Sequence, residues 1–332
     1  MRAWCITRPG GPDVFELEEL PDPQPGPEEI VVRVQAVGVN RADLLQRRGY
    51  YPAPPGFDAR VPGMEYAGVV ERAGHRCRLR KAGDKVMGII GGGAYAEKLV
   101  AHERETLRVP EGLALTHAAA VPEAFLTAYR ALYLEADLAH GEWCLIRAAT
   151  SGVGMAAVQL AHAFGNRSIG TSRSAARLQK LAVLGLDAGL TESDGDLPKQ
   201  VAGITGGAGA SVVLDLLGGG YLAENLACLR DEGTLVLVGA MAGREDHIDL
   251  GIFLNRRLKL KAMTMRSQPL ERKIELARMF EQRLAPWLEM GKLKTFVDKL
   301  VPFEDAPQAH RVMEAGGHLG KIVIVMQPVI SV

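Results

Sequence analysis

A chain of 332 residues has room for two domains of about 150 residues each. Its 39 basic and 39 acidic side chains cancel to a formal net charge of zero, so no basic field invites nucleic acid and no acidic arm suggests a solvating tail. The four cysteines, Cys5, Cys77, Cys144 and Cys228, are scattered, which excludes a Cys-x-x-Cys zinc or thiol-exchange pair.

In chain order, Met1 to Trp4 leads straight into a strand pattern with no signal peptide ahead of it. No apolar run approaches the ~20 residues that span a bilayer. A cytoplasmic, reducing location is therefore expected, and Cys5 and Cys144, in apolar strand-like runs, are expected to be inert thiols. Residues 30–37, 66–71 and 84–88 read as strands, punctuated by glycine and proline as in a compact β-rich domain. Residues 49–56 must be a loop, because their prolines remove backbone donors and fix φ; the loop carries Tyr50 and Tyr51 side by side. Residues 116–135 are helical in pattern, with a break near Val121 and Pro122. Strands and helices then alternate: 143–149 strand, 153–164 helix, 168–171 strand, 174–184 helix, 211–217 strand, 222–229 helix, 234–238 strand and 258–263 strand. That alternation predicts a doubly wound parallel sheet. The end returns to a mixed pattern, with helices at 271–290 and 304–315 and strands at 296–301 and 321–326. The expected division is 1–120 and 266–332 in one β-rich domain, with 121–265 as the α/β domain.

Residues 148–157 read Ala-Ala-Thr-Ser-Gly-Val-Gly-Met-Ala-Ala, between an apolar strand and a helix of small residues. Gly152 and Gly154 let backbone approach a pyrophosphate, Ser151 and Val153 complete the turn, and the helix start offers free N–H groups to the anion. An ordinary strand–helix turn would look similar; the surrounding βα alternation favours a dinucleotide. NAD sites usually carry a carboxylate at the end of the second strand. Here Thr171-Ser172-Arg173-Ser174 and then Arg177 stand there instead. Hydroxyls and guanidinium groups suit a 2′-phosphate, hence NADPH, although the arginines would also suit a solvated helix start.

Asn40-Arg41-Ala42-Asp43, the 51–56 loop, Gly63-Met64-Glu65-Tyr66-Ala67-Gly68, the 121–129 run, the glycine turn and Gly320-Lys321-Ile322-Val323 together resemble the medium-chain dehydrogenase/reductases. The resemblance covers essentially the whole chain. It is greatest to their zinc-free, zeta-crystallin-like quinone oxidoreductase branch, and within it to the p53-inducible type. It implies a GroES-like catalytic domain completed by the C-terminal segment, an inserted Rossmann domain, NADPH, direct hydride transfer to a quinone, and a homodimer. Asn40, Met64 and Glu123 match the Cys, His and Cys that hold catalytic zinc in zinc-dependent relatives, and that set is a poor zinc site. Ser151 takes the position of the branch's central glycine. Glu192 aligns where a tyrosine often helps hold the 2′-phosphate, and a carboxylate there would repel it.

The expected catalytic residues are Tyr51, donating to the carbonyl oxygen that gains charge, and Asn40, orienting a carbonyl or the nicotinamide. Tyr51 could instead merely pack its loop, and Asn40 could serve as a helix N-cap with Asp43. Cofactor contacts are expected from Asn40, Thr127, the 151–154 turn, Ser172, Arg173, Arg177, Gly239 and Lys321, with Arg266 a weaker candidate for phosphate. Thr127 matches a family position beside the nicotinamide; on a helix its hydroxyl could also bond backbone. Glu65 is expected to support the site. The eight histidines lack metal spacing and read as surface or packing residues, and Arg47-Arg48 and 76–81 as solvated faces. The edge of the 258–263 strand is a candidate for pairing across a dimer. Two other functions fit the same residues: an NADPH-dependent enal or enone double-bond reductase, and a non-catalytic NADPH-binding module with a structural or RNA-binding role.

Overall fold

The computed structural model describes residues 1–326, apart from the side chain of Glu192. The described residues form two compact units, one of Met1–Glu123 together with the segment from Met265 onward, the other of Ala124–Thr264.

The first unit is built on a seven-stranded sheet in the order Val297–Pro302, Lys321–Val325, Glu29–Gly38, Glu65–Ala73, Lys85–Ile89 and Leu107–Arg108, with Lys98–His102 also paired to Glu29–Gly38. Glu29–Gly38 is the organiser. Its register shifts between Val31 and Val32 and between Val34 and Ala36. Such bulges bend a strand and re-aim its side chains. The late strand Lys321–Val325 lies antiparallel to it, with Val323 opposite Gly38, and so places Lys321 beside the residues that follow the strand. Ile30, Val32, Val34, Val37, Tyr66, Ile322 and Ile324 form the core. The short helix Arg41–Arg47 follows at once, and residues 52–54 are irregular, as the prolines require.

The second unit is a six-stranded parallel sheet in the order Ala188–Leu190, Arg167–Thr171, Trp143–Ile146, Ala210–Asp215, Leu229–Leu237 and Lys259–Ala262. Numbered along the chain this is 3-2-1-4-5-6, the doubly wound dinucleotide-binding order. Leu145, Ile169, Val213 and Leu235 stack as one buried layer, one residue per strand. Ala188–Leu190 escapes sequence reading because three residues with a central glycine carry no periodicity. The helix expected over 174–184 is shorter: Ala175–Gln179 ends before a tight turn, and Gly185 takes the left-handed conformation (φ 92°). Among the described residues no helix is long and apolar enough to cross a membrane.

Candidate active site

The first candidate region is the turn after Trp143–Ile146. Ala148 is left-handed (φ 52°), an uncommon state for a residue with a Cβ and a source of local strain. It reverses the chain so that Ser151 N–H reaches Ala148 O at 3.0 Å. Ser151 itself is extended (φ −77°, ψ 167°) and caps the helix Gly152–Ala163, its Oγ accepting from Gly154 N–H at 3.1 Å. Serine therefore fits the place of glycine without strain. Gly154 admits nothing larger, since a Cβ would stand 2.5 Å from Ala148 O and 2.6 Å from Ala149 Cα. The remaining first-turn amides, of Gly152 and Val153, make no hydrogen bond among the described residues. They point from the positive end of a 12-residue helix, which is the donor set a pyrophosphate needs.

The second strand end is tied to this turn. Thr150 Oγ1 and Ser172 Oγ lie 3.3 Å apart, Ser172 Oγ accepts from Ser174 N–H at 3.3 Å, and Ser174 Oγ caps the next helix by accepting from Arg177 N–H at 3.4 Å. Arg173 is exposed, Arg177 half-buried, and neither forms a salt bridge among the described residues. The Glu192 side chain lies outside the described residues. Gly239 follows the strand Leu229–Leu237, where a Cβ would stand 2.8 Å from Leu216 O. Asp215, which sequence reasoning passed over, is buried at the end of its strand and accepts from Leu217 and Gly218 N–H at 2.7 and 3.2 Å, folding the loop back. Burial raises its pKa. Thr127, on the helix Pro122–Tyr129, is fully buried, and its hydroxyl has no partner among the described residues, not even in its own backbone. An orphaned buried hydroxyl fits a ligand amide. Free amides, a glycine cradle, unpaired guanidinium groups and that hydroxyl all suit a phosphorylated dinucleotide.

The second region is a buried polar cluster in the first unit. Lys321 Nζ donates to Asn40 Oδ1 at 2.6 Å and to Val39 O at 3.1 Å, and forms an ion pair with Glu65 Oε2 at 2.7 Å. Asn40 Nδ2 donates to Gly38 O and Glu65 Oε2, each at 3.0 Å. Glu65 Oε1 accepts from Glu123 N–H at 2.8 Å, at the start of the next helix. Gly38 makes room: a Cβ there would stand 2.3 Å from Glu65 Oε2 and 2.2 Å from Ala119 O. The helix Arg41–Arg47 begins in a capping box between Asn40 and Asp43, in which Asp43 accepts from Asn40 N–H at 2.8 Å. Burial, opposed by that amide and by Arg266, pushes the Asp43 carboxyl up to about 6.

This arrangement revises two sequence expectations. Both amide protons of Asn40 are taken up inside the cluster, so it has no N–H left for a substrate or a nicotinamide. The three acceptors around Lys321 likewise match its three protons, which leaves none to reach a phosphate. Among the described residues no three His, Cys, Asp or Glu side chains gather into a metal-binding group.

Tyr51 lies beside this cluster's helix, half-buried, with the Arg266 guanidinium carbon 5.4 Å from its ring centroid. Arg266 is only 2% exposed. It donates to Tyr51 O at 3.3 Å, to Gln46 Oε1 at 2.5 Å and to Gly91 O. Its guanidinium thus belongs to the Tyr51 loop, and is not extended to meet a phosphate. Burial raises the Tyr51 phenol pKa, and Arg266 opposes that rise.

One further expectation, for Arg47, is corrected nearby, and His310 falls on the packing side of its reading. Arg47 is fully buried, not on a solvated face: it donates to Gly10 O at 3.0 Å, pairs with Glu314, and meets His310 Nδ1 at 3.0 Å. His310, 0% exposed, reaches Tyr95 Oη at 2.9 Å through Nε2. Burial, then Arg47, lowers its pKa to about 3, so it is neutral. Both side chains turn inward because the helix Arg41–Arg47 faces the helix Ala306–Ala315, a long-range contact that no local pattern announces.

Comparison with known proteins agrees with this fold. Residues 26–111 match the alcohol dehydrogenase GroES-like domain and residues 152–282 the zinc-binding dehydrogenase family. The chain is 30% identical to the synaptic vesicle membrane protein VAT-1 homolog of Mus musculus, over 99% of its own length and 84% of that protein. A solved NAD-dependent alcohol dehydrogenase is similar at 31% identity and TM-score 0.88, covering 98% of this chain and 100% of that one. The Escherichia coli quinone oxidoreductase complexed with NADPH superposes with TM-score 0.89 at 28% identity, with coverage of 98% and 100%. The CurK enoyl reductase is also similar, with TM-score 0.87 and 26% identity, over 98% and 99%.

Proposed function

The chain belongs to the medium-chain dehydrogenase/reductases, in their zinc-free quinone oxidoreductase branch, and from that premise we propose that it reduces quinones with NADPH by direct hydride transfer. The observation that carries the proposal is the Ser151-capped turn with two amides that are free among the described residues, tied to a second-strand end, Thr171–Arg177, that holds two arginines unpaired among the described residues and has no carboxylate in its sequence. Gly152 and Val153 N–H hold the pyrophosphate, Ser172, Arg173 and Arg177 hold the 2′-phosphate, and Gly239 and Thr127 bound the nicotinamide end. When bound, the nicotinamide supplies the hydride.

The chain's own side chains handle position and charge. A quinone that accepts a hydride gathers negative charge on its carbonyl oxygen and takes one proton to become the hydroquinone. Tyr51 donates a hydrogen bond to that oxygen, an interaction stronger in the transition state than before it. Lys321, Glu65 and Asn40 fix the floor beneath by a network in which each partner limits the freedom of the next. No step calls for a metal, since Asn40, Met64 and Glu123 do not make a zinc donor set.

We further propose that the chain is a cytoplasmic homodimer. The strand Lys259–Ala262 is exposed along its whole length at a sheet edge, with Leu250 and Leu254 at 68% and 79% exposure on the preceding helix. An edge like this pairs readily with a second copy.

Similarity to an enoyl reductase favours a second reading, conjugate reduction of an enal or enone, because both acceptors take hydride at the end of a conjugated system. The test is NADPH oxidation with 1,2-naphthoquinone beside NADH and beside a simple enal. Saturable quinone reduction favouring NADPH is expected. Turnover of the enal alone would replace the first reading by the second, and cofactor binding without turnover of either would contradict both.

A further inference from the structure

We propose that Arg266 tunes Tyr51: its buried guanidinium, held against the phenol ring and bonded to that residue's own carbonyl, makes the phenol a stronger hydrogen-bond donor and aims it. The inference rests on the reading of Tyr51 as the donor to substrate. Arg266 is 2% exposed, yet among the described residues no carboxylate lies within salt-bridge distance of it. Its acceptors are neutral: Gly91 O, Gln46 Oε1 and Tyr51 O. Burying a cation is costly, the Asp43 carboxylate offsets part of that cost from beyond salt-bridge distance, and a fold that needed only to pin a loop could do so with a neutral side chain. What the charge adds is a field at its neighbours, the Asp43 carboxylate and the Tyr51 ring that it faces at 5.4 Å.

That field favours the phenolate over the phenol. It offsets burial, the largest influence on this group, which disfavours the phenolate; Glu123 adds to the burial, and the Ser267 side chain bonds to the phenol and works with Arg266. Arg266 is the one cation among these. A phenol whose proton is less tightly held donates more strongly to an oxygen that is becoming an anion. The bond to Tyr51 O fixes the loop at the same residue, so charge and aim come from one side chain.

The experiment uses the full chain with 3-fluorotyrosine in place of tyrosine, which brings phenol titrations into an accessible range, followed by fluorine NMR. Tyr51→Phe assigns the resonance. Arg266→Met removes the charge, and Arg266→Lys keeps it without the planar fork. In Arg266→Met the Tyr51 resonance is expected to titrate higher by roughly one unit, and quinone turnover to fall about tenfold with KM for NADPH unchanged. In Arg266→Lys the titration stays within a few tenths of the parent and most turnover returns. An unmoved titration in folded Arg266→Met would overturn the inference. Should that variant not fold, a shift of about one unit in Arg266→Lys would overturn it equally, because the charge is still there. If Tyr51→Phe itself turns over quinone at the parental rate, the donor reading fails and this inference with it. If Tyr51→Phe is slow while the titration ignores Arg266, the inference alone falls.

Discussion

The glycine turn and the Asn40–Glu65–Lys321 cluster are built in opposite ways. The turn is contiguous, uses main-chain amides, and is complete within residues 148–154 plus its link to Ser172. The cluster gathers side chains from positions 40, 65 and 321 onto main-chain groups of Gly38, Val39 and Glu123, and Arg266 bonds both Tyr51 and Gln46 beside it. Main-chain donors tolerate side-chain change: Ser151 replaces a glycine and also caps the helix. A charged cluster does not, since Glu65 or Lys321 left alone is a buried charge.

The largest effect expected from this contrast is in the cluster. Lys321→Met strands the Glu65 carboxylate and should cost about 3–5 kcal/mol in urea denaturation, with loss of activity. Normal stability would show that the network is not what holds the first unit together. Next, Tyr51→Phe should lower kcat for quinone by roughly 10- to 100-fold with little change in NADPH affinity; an unchanged kcat removes Tyr51 from the site. In the turn, effects should be gentler and confined to cofactor. Arg177→Ala is expected to weaken NADPH about tenfold, or ~1.5 kcal/mol, and NADH hardly at all, as read from the two KM values. Equal weakening would place Arg177 outside the 2′-phosphate site.

The smallest effect lies in pH dependence. Asp43 has a folded pKa of about 6, above its ordinary 3.8, so between those values the folded chain holds the extra proton and stability falls as pH rises. His310 is opposite in sign. Its folded pKa of about 3 lies below the usual 6.5, so the unfolded chain takes the extra proton and stability falls as pH drops through that window. Between about pH 4 and 6 the two slopes oppose each other. Asp43→Asn removes one, and acid destabilisation should steepen by close to one proton in denaturation midpoints measured across that range. An unchanged slope would mean that Asp43 is ionised in the fold.

The same contrast explains what the sequence alone could disclose. The turn was legible because its residues are neighbours and its glycines do a local job; likewise the alternation of strands and helices, since periodicity is local. Asn40, Tyr51 and Lys321 were legible as candidates, but their partners were not. Nothing near position 40 says that a lysine 281 residues later arrives across the strand pairing of Val323 with Gly38 and takes up the asparagine's oxygen. Arg47 was misplaced for the same reason: a basic pair on a short helix reads as solvated until the helix Ala306–Ala315 is packed against it. Asp215 gave no signal, being one carboxylate at the end of an apolar strand.

The most direct test of the central claim is single-turnover oxidation of NADPH by 1,2-naphthoquinone in chelator-treated protein, with the transferred hydrogen of the nicotinamide as protium or deuterium. The account predicts a saturable reaction, slower with deuterium and indifferent to the chelator. A protein that binds NADPH but leaves the quinone unreduced, or whose activity disappears on chelation and returns with zinc, would contradict it.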